Sequence, residues 1–597
     1  MLGDLLNGGE SPAIDRRIFA SRILIAAAQA ASLFLLAESA AQPASWPATE
    51  PRLYAPLSQM SLYVPLIMLL GLERLRPRPL TIWAIAAAIM IAGLAYHEVA
   101  RYPGDNGANP LHRSSWLFLA MPAWLFVAQV LVIDSIRERR FIPSYPRHFD
   151  TAWQLGVQIV LTASFVGLFW GILELGAILF TLVKIDFFRD LIAHRWFAYP
   201  ATTLALALAV QVTDVQPALI RGARTLALAL FSWLLPLLSV ILLGFLCSLP
   251  FISLAPLWQA HAGTRLFLTA TALLVFLINC CYQDGSAETV MPRLKRLAGT
   301  IAAIELVPLV GLSIWALSLR VAQYGWTIER IMAASAIVIL LCYAAGYSAA
   351  AVQAPIWMKR IEITNFVAAY LILAVTLALF SPIADPSRLM VASQVARLES
   401  GRVPVDKFDF AALKSDGARW GIAALNELSK VTDGPDASAI ATRATQAMLA
   451  VDGEPATANL PALTVEKLAE RIETQPPDRS LPADFLDDAF ANAPDSNIPD
   501  CLRRQGPKCM VQFITLPAKG DEAILMIDGP RAFLFEADSQ KQWRKVAWLN
   551  GDLYCPAVLA ALKRGEFQIQ PHDLPDLLVD GQQLQFIPPP TGGCPPT

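Results

Sequence analysis

Long apolar runs recur through the first 381 residues of this chain of 597, parted by short polar stretches. Crossing about 30 Å of hydrocarbon as a helix takes about 20 mostly apolar residues. Only a segment that satisfies its own backbone hydrogen bonds can make that crossing. Runs of this kind lie at 18–37, 54–72, 80–96, 115–133, 153–182, 196–212, 225–249, 266–281, 297–319, 331–350 and 365–381, which makes eleven. A single run of this sort fits a buried helix of a soluble protein. Eleven in succession predict an all-α polytopic transmembrane helix bundle over 1–381.

After Ser381 the pattern changes. Residues 408–430, 437–450 and 464–474 carry apolar residues at helical spacing. Pro476-Pro477 and the Asp/Pro-rich stretch 494–500 mark loops. Strand-like runs follow at Met510–Leu516, Ala523–Ile527, Ala532–Phe535 and Val546–Leu549. A short helix is expected at 556–564. Leu577–Ile587 then reads as two strands around Asp580-Gly581, a hairpin signal. Residues 382–597 are thus expected to form an α+β soluble domain.

Charge sharpens this division. The whole chain is 55% hydrophobic and 16% charged, with a mean hydropathy of +0.47. A soluble chain is about 45–50% apolar and about 25% charged. Residues 1–381 hold 26 Lys and Arg against 20 Asp and Glu, and residues 382–597 hold 21 against 29. The formal net charge of −2 therefore averages a basic bundle and an acidic, ordinarily charged tail. It gives no sign of a nucleic-acid partner.

Lys and Arg in the short loops also predict orientation. With the N-terminus inside, inner loops carry 16 of them, including Arg74, Arg76, Arg78, Arg137, Arg139 and Arg140, and outer loops carry nine. Arg22 falls in the first turn of the first span. The bias puts the N-terminus in the cytoplasm. An odd number of spans then puts the C-terminal domain outside, in the periplasm of a bacterium with an inner membrane. Arg16-Arg17, the apolar Ile23–Leu36 and Ala37–Ala41 also resemble a cleavable signal peptide; an uncleaved first span is the preferred reading.

The eight cysteines divide along the same line. Cys247, Cys280, Cys281 and Cys342 lie in spans, where cysteine acts as a small apolar residue. Cys501, Cys509, Cys555 and Cys594 lie in the tail. An even number in an oxidising compartment reads as two disulfides. Three pairings are possible, and Cys501–Cys509 with Cys555–Cys594 is preferred.

Candidate chemistry is sparse. No phosphate-binding Gly-rich loop, His-Glu-x-x-His zinc helix, Gly-x-Ser-x-Gly elbow or dinucleotide fingerprint occurs. The six histidines, 97, 112, 148, 194, 261 and 572, lack metal-ligand spacing. No cofactor, metal site or catalytic residue is expected on these grounds. Ionisable residues within spans are costly and therefore informative. Glu174 sits deep in the fifth span and Glu305 near the middle of the ninth. Each is a candidate proton or cation site, or else a carboxylic acid satisfied by a neighbouring helix; no intramembrane Lys or Arg partner is evident. Lys184–Asp190 reads as an amphipathic turn at the interface. The acidic run Asp484, Asp487, Asp488 reads as a solvated helix face.

Several pieces together resemble a bacterial family of polytopic membrane proteins, domain of unknown function 4153. They are Lys184-Ile-Asp-Phe-Phe188, Leu234-Leu-Pro-Leu-Leu238, Leu249-Pro-Phe251 with Leu257-Trp258, Asn279 with Tyr282-Gln283-Asp284-Gly285, and Arg320 through Gln323-Tyr324-Gly325-Trp326 to Thr327 with Arg330. Phe408–Leu413 with Arg419-Trp-Gly421 extend the likeness into the tail. The resemblance implies an inner-membrane protein and no particular reaction. It marks 282–285 and 323–326 as signatures of the bundle.

Three functions compete. The first is a membrane-anchored interaction, envelope-sensing or scaffold protein whose periplasmic domain meets a protein partner. The second is a transporter or channel using Glu174 and Glu305. The third is an enzyme on a lipid-linked substrate, drawing on loop groups such as Asp186, His261 or Arg320. The bilayer itself is the one surrounding that every reading shares.

Overall fold

In the computed structural model the described residues are 12–41, 45–102, 115–251, 263–285, 292–352, 357–434 and 436–449, followed in the C-terminal part by 468–469, 471–476, 479–482, 484–491, 499–503, 508–515, 522–528, 531–538, 541–548, 560–562, 564, 566, 577–579 and 582–584. The chain forms two compact units. One comprises 1–403 with 412–448, and the other 404–411 with 449–597.

Among the described residues, eleven helices are long and apolar enough to cross a membrane. They are α1 (Pro12–Ser39), α2 (Pro51–Gly71), α3 (Pro77–Ala100), α4 (Ser115–Glu138), α5 (Tyr145–Leu182), α7 (Arg195–Val215), α8 (Pro217–Ser248), α9 (Gly263–Tyr282), α10 (Arg293–Tyr324), α11 (Ile328–Val352) and α12 (Ile361–Leu379). Between α5 and α7 lies the short α6 (Phe187–Ala193), where an interfacial turn is expected. Four more helices complete the unit or cross its boundary: α13 (Pro386–Glu399), α14 (Phe410–Ser415), α15 (Ala418–Leu428) and α16 (Ala437–Leu449).

Proline opens α2, α3, α8 and α13, where a missing N–H costs nothing. Interior prolines at 56, 65, 122, 200, 236 and 308 stand in unbroken spans. Neighbouring helices can satisfy the freed carbonyls there.

The core of the first unit runs through α8, α9, α10 and α11, with Leu235, Leu274, Leu306, Leu309 and Tyr347 fully enclosed. Ala302 and Ala303 are both 0% exposed, and small residues of this kind let helix backbones approach closely. Gly346 of α11 marks another close approach. A Cβ there would lie 2.2 Å from Oγ1 of Thr364 on α12. The outward face of α5 is the opposite case. Val160, Leu168, Ile172, Leu175, Ile178 and Leu182 are all exposed, as lipid-facing side chains are.

Charge and hydropathy draw the line at 381, whereas the compact units divide at 403 and 448. Helices α13 and α15 pack on one another in the first unit. Hydropathy misses this because their attachment is polar.

The second unit contains a five-stranded sheet in the order β1 (Ile472–Gln475), β2 (Cys509–Thr515), β3 (Glu522–Asp528), β4 (Arg531–Ala537), β5 (Trp543–Trp548). β1 runs parallel to β2, and the other pairs are antiparallel. The central β3 is buried on both faces from Ala523 to Ile527. One face packs on Phe485, Phe490 and Phe535, the other on Leu562.

The strand readings in the tail hold to within a few residues, and β6 (Leu577–Val579) pairs with β7 (Gln582–Leu584) as expected. Helix over 464–474 does not hold at its end. Ile472 and Leu468 share a helical spacing, yet Ile472–Gln475 is a strand paired to Cys509–Gln512. Pairing with β2 overrides the local pattern, and the proline at 476 bars a helix from continuing. Of the helix expected at 556–564, residues 560–562 and 564 are helical, and the rest lies outside the described residues. The same is true of Leu257, Trp258, His261, Asp580 and Gly581.

Cys501 and Cys509 form the disulfide preferred from the sequence. Cys509 opens β2, and Cys501 lies in the helical turn Asp500–Arg503. Asp528 accepts the Cys501 N–H at 3.1 Å, and Arg471 Nε donates to the Cys501 carbonyl at 3.0 Å. Cys555 and Cys594 lie outside the described residues.

Candidate functional site

Successive spans alternate in direction, so polar residues from distant parts of the sequence collect at each end of the bundle. At the end where α1 begins, Arg22 is 1% exposed and pairs with Asp214 of α7 and with Gln211. Arg22 lies 3.6 Å from Glu73, and Arg74 lies 3.5 Å from Asp214. Gln158 of α5 donates to Asp214 at 2.8 Å and to Thr213 at 3.0 Å. Asp214 is thus gripped by two arginines and an amide.

Glu73, just past α2, is half-exposed. Partial burial and the neighbouring Asp214 carboxylate, which hydrogen-bonds it, push its pKa up to about 7 against the pull of Arg22 and Arg74. Burial pulls the Arg74 pKa down, although Asp214 and Glu73 oppose that. The group that titrates near neutrality is therefore the most exposed of the cluster, with Arg22 and Asp214 buried behind it. Chemically, Glu73 can take up and release a proton near neutral pH.

At the same end lies the first signature. Asn279 of α9 donates to Tyr347 at 2.7 Å, Tyr347 donates to Asn365 of α12 at 2.6 Å, and Asn365 donates to Tyr145 at 3.0 Å and back to Asn279 at 2.7 Å. The amides and hydroxyls close a ring that ties α5, α9, α11 and α12 together. Tyr282 donates to Glu362 at 3.0 Å, and Lys359 reaches the same oxygen at 2.6 Å. Gln283 and Gly285 take left-handed backbone conformations, and Asp284 lies between them in the turn. At Gly285 a Cβ would sit 3.0 Å from Tyr282 Oη and 3.1 Å from Glu362 Oε1, so the turn is shaped to bring Tyr282 onto Glu362. On the same end, fully buried Asp134 of α4 accepts from Thr151 at 2.7 Å and faces His148 Nδ1 at 3.2 Å.

At the opposite end a second cluster joins α3 to α13. Asp385 caps α13, its Oδ1 accepting the Ser387 N–H at 2.9 Å and the Arg388 N–H at 3.3 Å. Arg101 Nη1 reaches Asp385 at 3.2 Å, His97 Nε2 lies 2.9 Å from it, and Arg101 also pairs with Glu98. Burial opposes ionisation of Asp385. The His97 hydrogen bond, the Arg101 charge and the capped N–H groups outweigh it and hold the pKa below its ordinary value. Burial likewise works against the Arg101 charge, and Glu98 and Asp385 more than compensate, leaving its pKa raised. The Arg101 carbonyl accepts the Arg419 N–H at 2.7 Å, which brings α15 into the same junction.

The second signature completes the attachment of α13. Gln394 donates to the carbonyls of Tyr324 and Trp326, and Arg397 to those of Ala322 and Gln323. Ser393 Oγ accepts the Trp326 N–H at 3.3 Å. Gly325 turns here at φ +74°, where a Cβ would meet Arg397 Cδ at 2.7 Å and Gln394 Nε2 at 2.8 Å. Residues 322–326 are therefore the socket for one helix.

The two intramembrane acids differ. Glu305 is 3% exposed, with Ser239 of α8 donating to its carboxyl at 3.1 Å. Glu174 is exposed on the outward face of α5. The structure does not bring them together. Arg22, expected in the first turn of the first span, lies ten residues into α1 and is buried against Asp214 of α7, a pairing that run length alone does not show. The available signal was an ionisable residue inside a span boundary on two different helices.

A family model described as domain of unknown function DUF4153 matches residues 64–419. No curated protein and no solved structure matches the chain. The match spans both signatures, the Asp385 cluster and Glu73 with Asp214.

Proposed function

The chain belongs to the DUF4153 family, and we propose that it is an inner-membrane scaffold or envelope-sensing protein that presents its C-terminal α+β domain outside the cytoplasm to a protein partner. The attachment of α13 carries this reading. The first helix after the last span is capped by a buried Asp385 and held by side chains to residues 322–326 at the end of α10, so the polypeptide leaves the bundle from a fixed exit. A transport pathway has no need of such an exit; a presented domain does. The Cys501–Cys509 disulfide supports an oxidising compartment for that domain, and the Lys/Arg bias of the loops agrees.

A topology reporter fused near residue 400 is expected to be active only outside the cytoplasm. Site-directed photocrosslinking from the sheet surface of the full chain in intact cells is expected to trap one discrete protein. Activity of the reporter only in the cytoplasm would defeat the orientation, and absence of a discrete adduct from every surface probed would defeat the presenting role. Transport is the second reading, favoured by the enclosed Glu305. It requires that Glu305→Gln abolish function in cells; the presenting role requires that Glu305→Gln and Glu174→Gln both retain it.

A further inference from the structure

The socket of α13 borders a cavity of about 490 Å³, within the size range of ligand pockets. Its walls are Ser335 and Val338 of α11, Val375 and Leu379 of α12, and Leu389 of α13, with Trp326 at one end. It follows α11 from Ile331 to Val338, a rise of about 10 Å. Val338 is 49% and Leu389 40% exposed, so the cavity opens sideways on the surface of the bundle.

The mouth is basic. Arg388, next to Leu389, is exposed and donates to the Ile383 carbonyl at 2.8 Å. Arg330, next to Ile331, donates to the Gly325 carbonyl at 2.7 Å and lies over the Tyr324 ring at 5.3 Å. Each guanidinium is thus oriented by a backbone carbonyl. Arg320 and Arg397 add like charge around Arg330, and Glu329 offsets part of it. An apolar slot beside two oriented guanidinium groups, in a chain of eleven membrane spans, matches a ligand with a hydrocarbon tail and an anionic phosphate.

We propose that this crevice binds an anionic glycerophospholipid, with an acyl chain between α11 and α12 and the phosphodiester against Arg330 and Arg388. The site is separate from the presenting role proposed above and stands or falls without it. Bound lipid would fill the gap between the last two spans and the helix that leaves them, bracing the exit of the chain.

The test is native mass spectrometry of the full chain titrated with dioleoyl-phosphatidylglycerol or dioleoyl-phosphatidylcholine, which share acyl chains and differ in charge. The expected result is retention of phosphatidylglycerol over phosphatidylcholine. Each of Arg330→Ala and Arg388→Ala should weaken that binding about fivefold, and the pair about thirtyfold. Val338→Trp, which blocks the mouth and leaves every charge in place, should lower it too, and thereby separates loss of the slot from disturbance of Arg330. Equal retention of the two lipids, or unchanged phosphatidylglycerol binding in both the double variant and Val338→Trp, would overturn the proposal. So would a polyprenyl phosphate as the lipid that co-purifies at one equivalent and resists exchange.

Discussion

The two ends of the bundle hold similar sets of buried charge put to different use. Arg22, Glu73, Arg74 and Asp214 sit at one end; His97, Glu98, Arg101 and Asp385 sit at the other. Each pairs arginine with two carboxylates drawn from separate helices. At the α13 end the central carboxylate also caps a helix, and its pKa is depressed. At the α1 end one carboxyl stands half in solvent with its pKa raised to about 7. The same residue types make a permanent strap where the acid receives several hydrogen bonds, and a titrating group where one acid leans on another.

The strap gives the largest expected effect. Asp385→Ala removes the cap of α13 and one of the two carboxylates that hold buried Arg101, and is expected to cost about 3–5 kcal/mol, read as loss of thermal stability in detergent. A change under 1 kcal/mol would erase the distinction between the two ends. Asp214→Ala should cost less, about 2–3 kcal/mol, because it takes no helix cap with it and Glu73 remains 3.6 Å from Arg22; a loss exceeding that of Asp385→Ala would reverse the comparison.

Gly325→Ala comes next, at about 1–2 kcal/mol. It should raise proteolysis or hydrogen exchange within α13 while leaving α1 and α2 protected. The smallest effect is the pH response. Between pH 4.5 and about 7 folded Glu73 holds a proton that the unfolded chain has lost. Stability should therefore fall across that window as pH rises and level off above it, by at most about 1 kcal/mol given the solvent around Glu73. Glu73→Gln should flatten this slope. Asp385 acts in the opposite sense. Its contribution is present above its ordinary pKa of 3.8 and is lost as pH falls through the depressed folded value. A neutral-range slope that survives Glu73→Gln would assign the titration elsewhere.

The spans, the sheet strands and the Cys501–Cys509 bridge were legible because each has a one-dimensional signal: run length, alternation, or an even count of cysteines. The strand at Ile472–Gln475 was not, since its identity depends on a partner 37 residues away. The charge clusters were hidden for the same reason. Arg22 and Asp214 are 192 residues apart, and Arg101 and Asp385 are 284 apart. Hydropathy averages pass over each of these residues at the edge of a run. Resemblance located Gln323–Trp326 without giving its role, which became visible only once Gln394 and Arg397 were seen to bond its carbonyls.

Helix α5 has one more property. Its 38 residues rise about 57 Å, against about 30 Å for the hydrocarbon of a bilayer. Its first half is tied to α7 through Gln158 and to the ring of amides through Tyr145; its second half keeps one hydrogen bond to α7, from Trp170 to Thr202 at 3.1 Å, and is otherwise largely exposed. A helix of that length meets a membrane by tilting or by standing proud of it, and a thinner or thicker bilayer shifts the balance. Glu174 lies eight residues before its C-terminal end. Bilayer thickness therefore sets how far this exposed carboxyl is immersed, and the hydration of one side chain becomes a gauge of the membrane around it.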